Sequence, residues 1–327
     1  PYVQQWNLTL EKSLWETAFR ASYMGTKTTN LIYNRDINQR GTPGDTSNRS
    51  RPYSAYGYGG TIAYMENGGN QIYHGLVLEA RRRLANGFMF QAGYAFAKNI
   101  SDVIDSENDA NGTSSNALNR ALDRGQVGYQ RRHSFSAMGL WILPFGRGHK
   151  LGSALPAWAN HVVGGWELTP ELFSGSGQYF TPCRATTNPL TGGACGQVAR
   201  PDRIGDGNNG PRQTGSPSVQ WFDTSAFSNP PANVLGNAGR NILVGPGFWH
   251  LSLSLTKRFR FLEKKEAWFT MSSENLFNHP NWNNPSSSAE LTVGQPAFGS
   301  TSSLMGSDRA AGRFPSRNIW LRLRILF

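Results

Sequence analysis

The chain lacks the apolar run of about 18 residues that a membrane-spanning helix requires. Charge is sparse as well, because charged residues make up only 16% of the 327 residues, and hydrophobic residues reach only 38%. Glycine is abundant instead, with 37 residues, and aromatic residues account for 12%. Strands of a transmembrane β-barrel need to be apolar on one side only, and this composition is typical of them. The composition therefore favours a barrel over a cytosolic enzyme.

Motifs of catalysis and metal binding are missing too. The six histidines show no H-E-x-x-H or H-x-H spacing, and no G-x-S-x-G nucleophile turn occurs. An acidic run from Asp102 to Gly112 loosely resembles a calcium loop, but its glycine is misplaced for an EF-hand, and Asp202–Gly210 is a weaker case. The sequence predicts no enzyme, no resident metal and no cofactor, with calcium binding by these loops as the alternative. The net charge of +11 is scattered and matches no nucleic-acid motif, so nucleic acid is not an expected partner.

Only two cysteines are present, Cys183 and Cys195, and they enclose a loop rich in Gly, Thr and Pro. We predict a disulfide between them, which would stabilise the fold by roughly 3 kcal/mol on the loop-entropy model. It would also place this loop in an oxidising compartment. The alternatives are two free thiols or a metal pair without its other ligands.

The last residues of the chain have a two-sided pattern. One face of the predicted strand carries Ile319, Leu321, Leu323, Ile325 and Phe327. The other carries Asn318, Trp320, Arg322 and Arg324, because successive side chains of a strand point to opposite sides. A strand between lipid and a watery lumen needs such a pattern.

Nine segments alternate in this way, and together they predict an all-β, antiparallel outer-membrane barrel sheet. They lie near Val3–Lys12, Glu16–Gly25, Ile72–Arg83, Phe88–Lys98, Gln130–Leu143, Trp166–Ser176, Phe248–Arg260, Glu266–Phe277 and Arg317–Phe327. Short and long connections mostly alternate, and the long ones lie near Thr26–Gln71, Asn99–Tyr129, Gly177–Gly247 and Asn278–Ser316. Barrels of the outer membrane place short turns in the periplasm and long loops outside the cell.

The number of strands is odd, unless Gly60–Glu66 forms a tenth. Single-chain bacterial barrels close with an even number. We therefore expect residues 1–327 to form the C-terminal arc of a larger barrel. The first residue, Pro1, and the lack of a signal peptide agree with processing or with a longer polypeptide.

Several phrases along the chain resemble the C-terminal barrel of TonB-dependent receptors of the Oar-like, carboxypeptidase-regulatory-domain type. They include PYVQQWNLTLEKSL at Pro1–Leu14, ENGGNQIYHGLVLEARRRL at Glu66–Leu84, DRGQVGYQRRHSFS at Asp123–Ser136, GGWELTPELFSGSGQYFT at Gly164–Thr181, WFDTSAFSNP at Trp221–Pro230, GNAGRNILVGPGFWHLSLSLTKRF at Gly236–Phe259 and ENLFNHPNWNNP at Glu274–Pro285. The matches follow one another in order over nearly the whole chain.

The resemblance implies a barrel of about 22 strands, of which this chain supplies about nine. It also implies an N-terminal regulatory-like domain and a plug that contacts TonB, and neither is visible in this sequence. The expected location is the cell outer membrane of a Gram-negative-type bacterium. The expected partners are its lipid bilayer, the barrel-assembly machinery, TonB through the plug, and a small solute. The barrel-assembly machinery would read the terminal aromatic, Phe327, and the alternating apolar residues before it.

The expected function is binding and import of a nutrient such as an oligosaccharide, a peptide or a metal chelate. Candidate ligand-binding residues are the loop aromatics Tyr53, Tyr56, Tyr58, Trp221 and Trp282 and the inward-facing Trp320, Arg322 and Arg324. The inward cations have a second interpretation, in which they pair with acidic groups of the plug or of other strands. Two further functions stay open: a structural or adhesive surface protein without transport, and a soluble all-β enzyme or glycan-binding module.

Overall fold

Nine long strands form one antiparallel sheet, in the order of the sequence. The computed structural model describes residues 1–45, 47–103, 114–149, 151–196, 198–210, 218–261, 265–306 and 315–327. The strands are β1 (Tyr2–Leu14), β2 (Thr17–Asp36), β3 (Ala63–Ala85), β4 (Phe88–Ser101), β5 (His133–Ile142), β6 (Trp166–Gly175), β7 (Phe248–Phe261), β8 (Lys265–Glu274) and β9 (Asn318–Leu326). Each pairs with the strands before and after it, and β1 and β9 lie at the two ends of the sheet. The predicted all-β meander is confirmed.

The strand register shows which side chains share a face of the sheet. Directly opposite residues of an antiparallel pair point to the same side. Met271 of β8 lies opposite both Leu255 of β7 and Leu321 of β9, whereas Thr270 lies opposite Arg322. One face of the sheet is therefore apolar and the other polar. We call them the outer face and the inner face.

The apolar side chains of the outer face are exposed rather than packed into a core. Leu8, Leu321 and Leu323 are 62%, 69% and 64% exposed. Among the described residues, Ala97 is the only buried hydrophobic residue that belongs to a long strand. Exposure on this scale fits strands whose outer face meets lipid instead of protein.

Carboxylate side chains lie on the inner face of the sheet. Leaving aside the far ends of β2 (30–36) and β3 (63–69), every Asp or Glu in the paired parts of the nine described strands occupies an inner-face position. These residues are Glu11, Glu79, Glu167, Glu171, Glu266 and Glu274. Since a charge in hydrocarbon is costly, this distribution also assigns the outer face to the bilayer.

Tight turns connect the strands at one rim. Trp15 and Glu16 join β1 to β2, and Asn86 and Gly87 join β3 to β4, all four with positive φ. Two-residue turns of this kind match the twist of the flanking strands. This rim also carries the connection between β5 and β6, which contains the short helix α1 (Ala157–Val163).

β2 and β3 are much longer than the sequence indicated. Their pairing is interrupted after Thr29, where Asn30 of β2 and Gly68 of β3 are both left without an opposite residue. Beyond this double bulge the two strands remain paired, from the start of β3 at Ala63 and up to the end of β2 at Asp36. The bulge breaks the alternation of side chains, which is why the sequence pattern ended β2 too early. Gly60–Glu66 is not a tenth strand, because its strand portion is the first part of β3.

The four long loops lie at the opposite rim. We call their described residues within 37–62, 102–132, 176–247 and 275–317 the cap. The cap contains the helix α2 (Ser288–Leu291) and three small strand pairs, which join Tyr179–Phe180 to Leu243–Val244, Asp202–Arg203 to Phe227–Ser228 and Val219–Gln220 to Ser300–Thr301. No helix in the described part of the chain is long and apolar enough to cross a membrane.

A substitution on β7 tests the two faces. Leu255 lies on the outer face between Leu168 and Met271, about six residues from the end of its strand. Leu255→Arg should reduce the free energy of unfolding by about 2–4 kcal/mol, the cost of arginine near the bilayer midplane. Equilibrium unfolding of the protein in lipid vesicles measures this change.

The matched control is Thr256→Arg, one residue further along the same strand. Thr256 lies on the inner face, and its hydroxyl is 3.0 Å from the hydroxyl of Thr270. Arginine at this position should cost clearly less than at Leu255. Equal destabilisation by the two variants would contradict the assigned faces.

Candidate functional site

An aromatic core holds the cap together. Phe180, Phe222, Phe227 and Phe298 are buried with Leu243. The ring of Phe222 lies 5.2 Å from that of Phe298 and 5.7 Å from that of Phe180, measured between centroids. Edge-to-face contacts of this kind stabilise beyond the burial of area. The two longest loops therefore share one hydrophobic core instead of lying separately on the barrel.

Buried arginines tie the loops to one another. Arg200 pairs with Asp123 at 2.9 Å, and the side chains are 5% and 0% exposed. Arg240 donates to the backbone carbonyls of Ser101 and Val103, each at 2.6 Å. Arg51 lies 3.5 Å from the carboxylate of Asp36 and is equally buried. Arg240 thus fixes residues more than a hundred positions apart in the sequence relative to one another.

The two cysteines lie in this assembly. Cys183 and Cys195 form a disulfide, with their Cα atoms 5.2 Å apart. Cys183 is fully buried, its amide donates to the carbonyl of Leu291 at 2.8 Å, and its carbonyl accepts from Val293 at 2.9 Å. The disulfide loop is therefore attached to the segment that carries α2.

Two carboxylates of the cap are held by hydrogen bonds in their charged form. Hydrogen bonds from the hydroxyl of Ser47 and the amide of Ser50 lower the pKa of Asp45 to about 2. Burial alone would raise the pKa of Glu290, but donors from Ser286, Ser287 and Ser302 outweigh it and lower that pKa. Both groups therefore stay ionised in mildly acidic surroundings, and the stability that they add is lost only as the pH falls through these lowered pKa values.

Three tyrosines project from the first loop. Tyr53, Tyr56 and Tyr58 are 39%, 77% and 58% exposed and flank a short 3₁₀ turn. The buried side chain of Asn38 holds the backbone beneath them, because its amide donates to the carbonyl of Tyr58 at 3.0 Å and its oxygen accepts from the amide of Tyr53 at 2.9 Å. The result is a fixed backbone that presents exposed aromatic rings.

The two loop tryptophans are less accessible. The indole of Trp221 donates to the carbonyl of Val244 at 2.8 Å and packs against the aromatic core. Trp282 is half-buried and lies in an isolated bridge with Leu304. Both therefore contribute to the packing of the cap, and ligand binding by them stays a prediction.

The inner-face candidates of β9 line a polar groove. Trp320 and Arg322 face it together with Glu171, Glu274 and several serines of β7 and β8, and the groove measures about 500 Å³. This wall carries two carboxylates and one guanidinium group, so it offers both hydrogen-bond acceptors and donors and charges of both signs. It can contact polar solutes or the polar surface of a protein segment.

The third candidate, Arg324, lies nearer the short-turn rim. Its guanidinium carbon is 5.8 Å from the ring of Trp268, whose other neighbour is Arg258 at 4.2 Å. Arg258 pairs with Glu167 at 2.8 Å. Arg324 therefore contacts an aromatic ring, and Arg258 contacts the same ring and a carboxylate of a neighbouring strand.

A second inner groove, of about 730 Å³, lies at the same rim across β1 to β4. Arg20 bridges Glu11 at 2.6 Å and Glu79 at 3.3 Å, and Arg81 and Arg83 line the same space. These groups are well exposed, so each pair contributes little to stability. The register brings these groups together, because Arg20 lies opposite both Glu11 of β1 and Glu79 of β3.

The two candidate calcium loops have different outcomes. Most of the run from Asp102 to Gly112 lies outside the described residues, and Asp102 itself pairs with Arg120 at 3.3 Å. In the second loop, Asp206 accepts from the amide of Asn208 and caps a short 3₁₀ turn. Across the described ranges, no three His, Cys, Asp or Glu side chains are grouped so that they could hold a metal ion.

A substitution in the cap tests whether the loops act as one folded unit. Asp123→Ala leaves the buried guanidinium group of Arg200 unpaired, which typically costs about 3–5 kcal/mol. We expect faster hydrogen exchange and proteolysis within residues 114–132 and 198–210, with the barrel strands unchanged.

The control for this experiment is Asp206→Ala, which removes a pair with Arg203 whose side chains are 41% and 48% exposed. An exposed pair contributes about 0–1 kcal/mol, and Asp206 also caps the adjacent 3₁₀ turn. Exchange in the control should therefore rise only near that turn and stay close to that of the unmodified protein within residues 114–132. If hydrogen exchange and proteolysis of the cap increase equally in both variants, the buried pair between Asp123 and Arg200 has no special role.

Comparison with known proteins identifies the family. A family model described as an outer membrane beta barrel domain matches residues 1–319. No curated protein matches the chain. Among solved structures, the chain is similar to the closed form of the ferric-catecholate import receptor Fiu from E. coli K12, with 9% identity and a TM-score of 0.43.

It is also similar to the outer membrane transporter YddB from Escherichia coli, with 9% identity and a TM-score of 0.45. Each alignment covers 98% of this chain but only 27% and 32% of those two chains. The chain thus spans about a third of the length of either. Because the family model matches nearly its whole length, this chain belongs to the outer membrane beta barrel domain family and lies in the outer membrane.

Proposed function

We propose that this chain is part of the barrel of a TonB-dependent receptor of the Oar-like type, which binds a nutrient outside the cell and imports it. The proposal rests on one observation: the cap has a hydrophobic core of its own, and the inner face of the sheet below it carries charged side chains. The cap offers fixed exposed groups at the extracellular rim, and the inner face offers polar grooves below it. A route for a polar solute needs both.

Capture would begin at the tyrosines of the first loop. Exposed aromatic rings offer a flat apolar face and a hydroxyl group, which suits solutes that alternate apolar faces with hydroxyl groups. An oligosaccharide therefore fits Tyr53, Tyr56 and Tyr58 better than a metal chelate or a peptide does. The role requires binding and passage but no catalysis.

Energised passage would depend on parts outside this sequence. The resemblance to TonB-dependent receptors implies a plug that fills the barrel and contacts TonB. The inner grooves around Trp320 and Arg322 and around Arg20 are the surfaces that such a plug would meet. Their mixture of carboxylates and guanidinium groups suits reversible polar contacts, since exposed pairs are individually weak.

The test uses the whole receptor in its host and follows uptake of labelled oligosaccharides. Tyr56→Ser together with Tyr58→Ser should raise the concentration needed for half-maximal uptake by at least about tenfold, since each factor of ten corresponds to 1.4 kcal/mol. The matched control is Tyr129→Ser, which changes a tyrosine of another loop that is 52% exposed. Uptake that requires TonB and is weakened only by the double variant supports the proposal.

A structural or adhesive surface protein is the second candidate. The observation in its favour is the rigid, ion-paired cap, which could present the tyrosines to a neighbouring surface as well as to a solute. Uptake that persists unchanged in a deletion strain, combined with loss of attachment to glycan-coated surfaces, would favour adhesion and overturn import.

The end of the chain provides a prediction about assembly. Phe327 is 89% exposed, and the ammonium group of Lys265 lies 5.6 Å from its ring. If the barrel-assembly machinery reads this aromatic, Phe327→Asp should lower the amount of heat-modifiable barrel in outer membranes several-fold. Trp158→Asp is the control, because Trp158 is a 74% exposed aromatic of α1 at the same rim. Equal membrane levels of both variants would remove Phe327 from the assembly signal.

A further inference from the structure

Cations of the outer face are confined to its two rims. At the short-turn rim the register places Lys12, Arg82, Lys257 and Lys265 outward. At the opposite rim it places Lys27, His74, Lys98 and His133 outward. The described, regularly paired positions between these rims carry apolar or small side chains on this face, and no Asp or Glu.

The upper four residues form a continuous row, which we call the outer cationic row. His74 lies directly opposite Lys98 on β4. Lys27 is diagonal to His74, since His74 pairs with Gly25, and His133 is diagonal to Lys98, since it pairs with Phe96. The row thus crosses β2, β3, β4 and β5, one residue from each strand. With a strand spacing of about 4.8 Å, it extends over roughly 15 Å.

Both histidines of the row are held in the same way. The hydroxyl of Tyr23 lies 2.8 Å from Nδ1 of His74, and the hydroxyl of Tyr94 lies 2.7 Å from Nδ1 of His133. When an imidazole accepts the tyrosine proton at Nδ1, its Nε2 carries a hydrogen and is a donor. Each tyrosine therefore holds its histidine in place beside a lysine, and the imidazole is half-buried in His74 and exposed in His133.

The depth of the row matches the end of the hydrocarbon layer. Each residue lies about ten positions from the short turn of its hairpin, which is the length of strand that crosses a bilayer. Trp6 marks the same level, because its indole is 3.4 Å from the hydroxyl of Tyr23 and its ring centroid is 6.2 Å from that of His74. Aromatic girdles occupy the interface between lipid tails and headgroups.

We propose that the outer cationic row binds the phosphates of a glycolipid headgroup in the outer leaflet. The two lysines supply positive charge and the two histidines supply further hydrogen-bonding groups where headgroup phosphates lie, and no carboxylate at the described, paired positions of this face competes for them. A row of about 15 Å is too long for a single phosphate. It fits a headgroup that carries two phosphates separated by sugars. This site is separate from the solute route, because it faces lipid.

The experiment uses the intact receptor, purified in detergent, and measures lipid binding by native mass spectrometry. The probes are bisphosphorylated lipid A and the same lipid with both phosphates removed. The unmodified receptor should bind the phosphorylated form at least about tenfold more tightly. Equal affinity for the two forms overturns the proposal without any variant.

Variants then locate the site. Lys27→Gln with Lys98→Gln should lower the affinity for bisphosphorylated lipid A at least about tenfold and leave binding of the dephosphorylated form unchanged. Lys12→Gln with Lys265→Gln, which removes two cations from the other rim, should change neither affinity. Equal losses in the two double variants would show charge attraction without a site and overturn the assignment. Equal affinity for a simple anionic phospholipid would likewise exclude a glycolipid site.

Discussion

The alignment of each strand with its neighbours is the constraint on which the rest of this structure depends. A shift of one residue would exchange the two faces of a strand, placing carboxylates in lipid and leucines in the lumen. The chain prevents this shift at both ends of its hairpins. Tight turns such as Asn86-Gly87 fix the offset at one rim, and paired hydroxyl groups such as Ser254 and Ser272, 2.8 Å apart, match across the inner face.

The cap solves a different physical problem. Water surrounds it, so it needs a hydrophobic core of its own, and four phenylalanines from two loops supply that core. Its buried arginines are costly to desolvate and are retained with partners on other loops, which makes them specific connections rather than sources of stability. The location of apolar side chains therefore differs between the two parts: they lie on the outside of the barrel and on the inside of the cap.

Sequence reasoning succeeded where one simple rule governs many residues. Alternation identified all nine strands and both faces of β9, because lipid on one side leaves a period of two in the sequence. It failed where structure depends on contacts between distant segments. Nothing near Asp123 signals its pairing with Arg200, and nothing near Phe222 separates a loop aromatic that packs from one that binds. The tyrosines of the first loop and Trp221 looked equivalent in the sequence, yet only the tyrosines are exposed.

The double bulge between β2 and β3 has a consequence for how such barrels diversify. The pairs Thr29–Asn70 below it and Tyr33–Glu66 above it have the same offset, because the extra residues Asn30 and Gly68 cancel. The ends of β2 and β3 above the bulge thus lead into the loop that carries Tyr53, Tyr56 and Tyr58, and the strand pairing within the membrane is not disturbed. Mutation and recombination can therefore replace that loop as an outer module while the span through the bilayer is inherited unchanged.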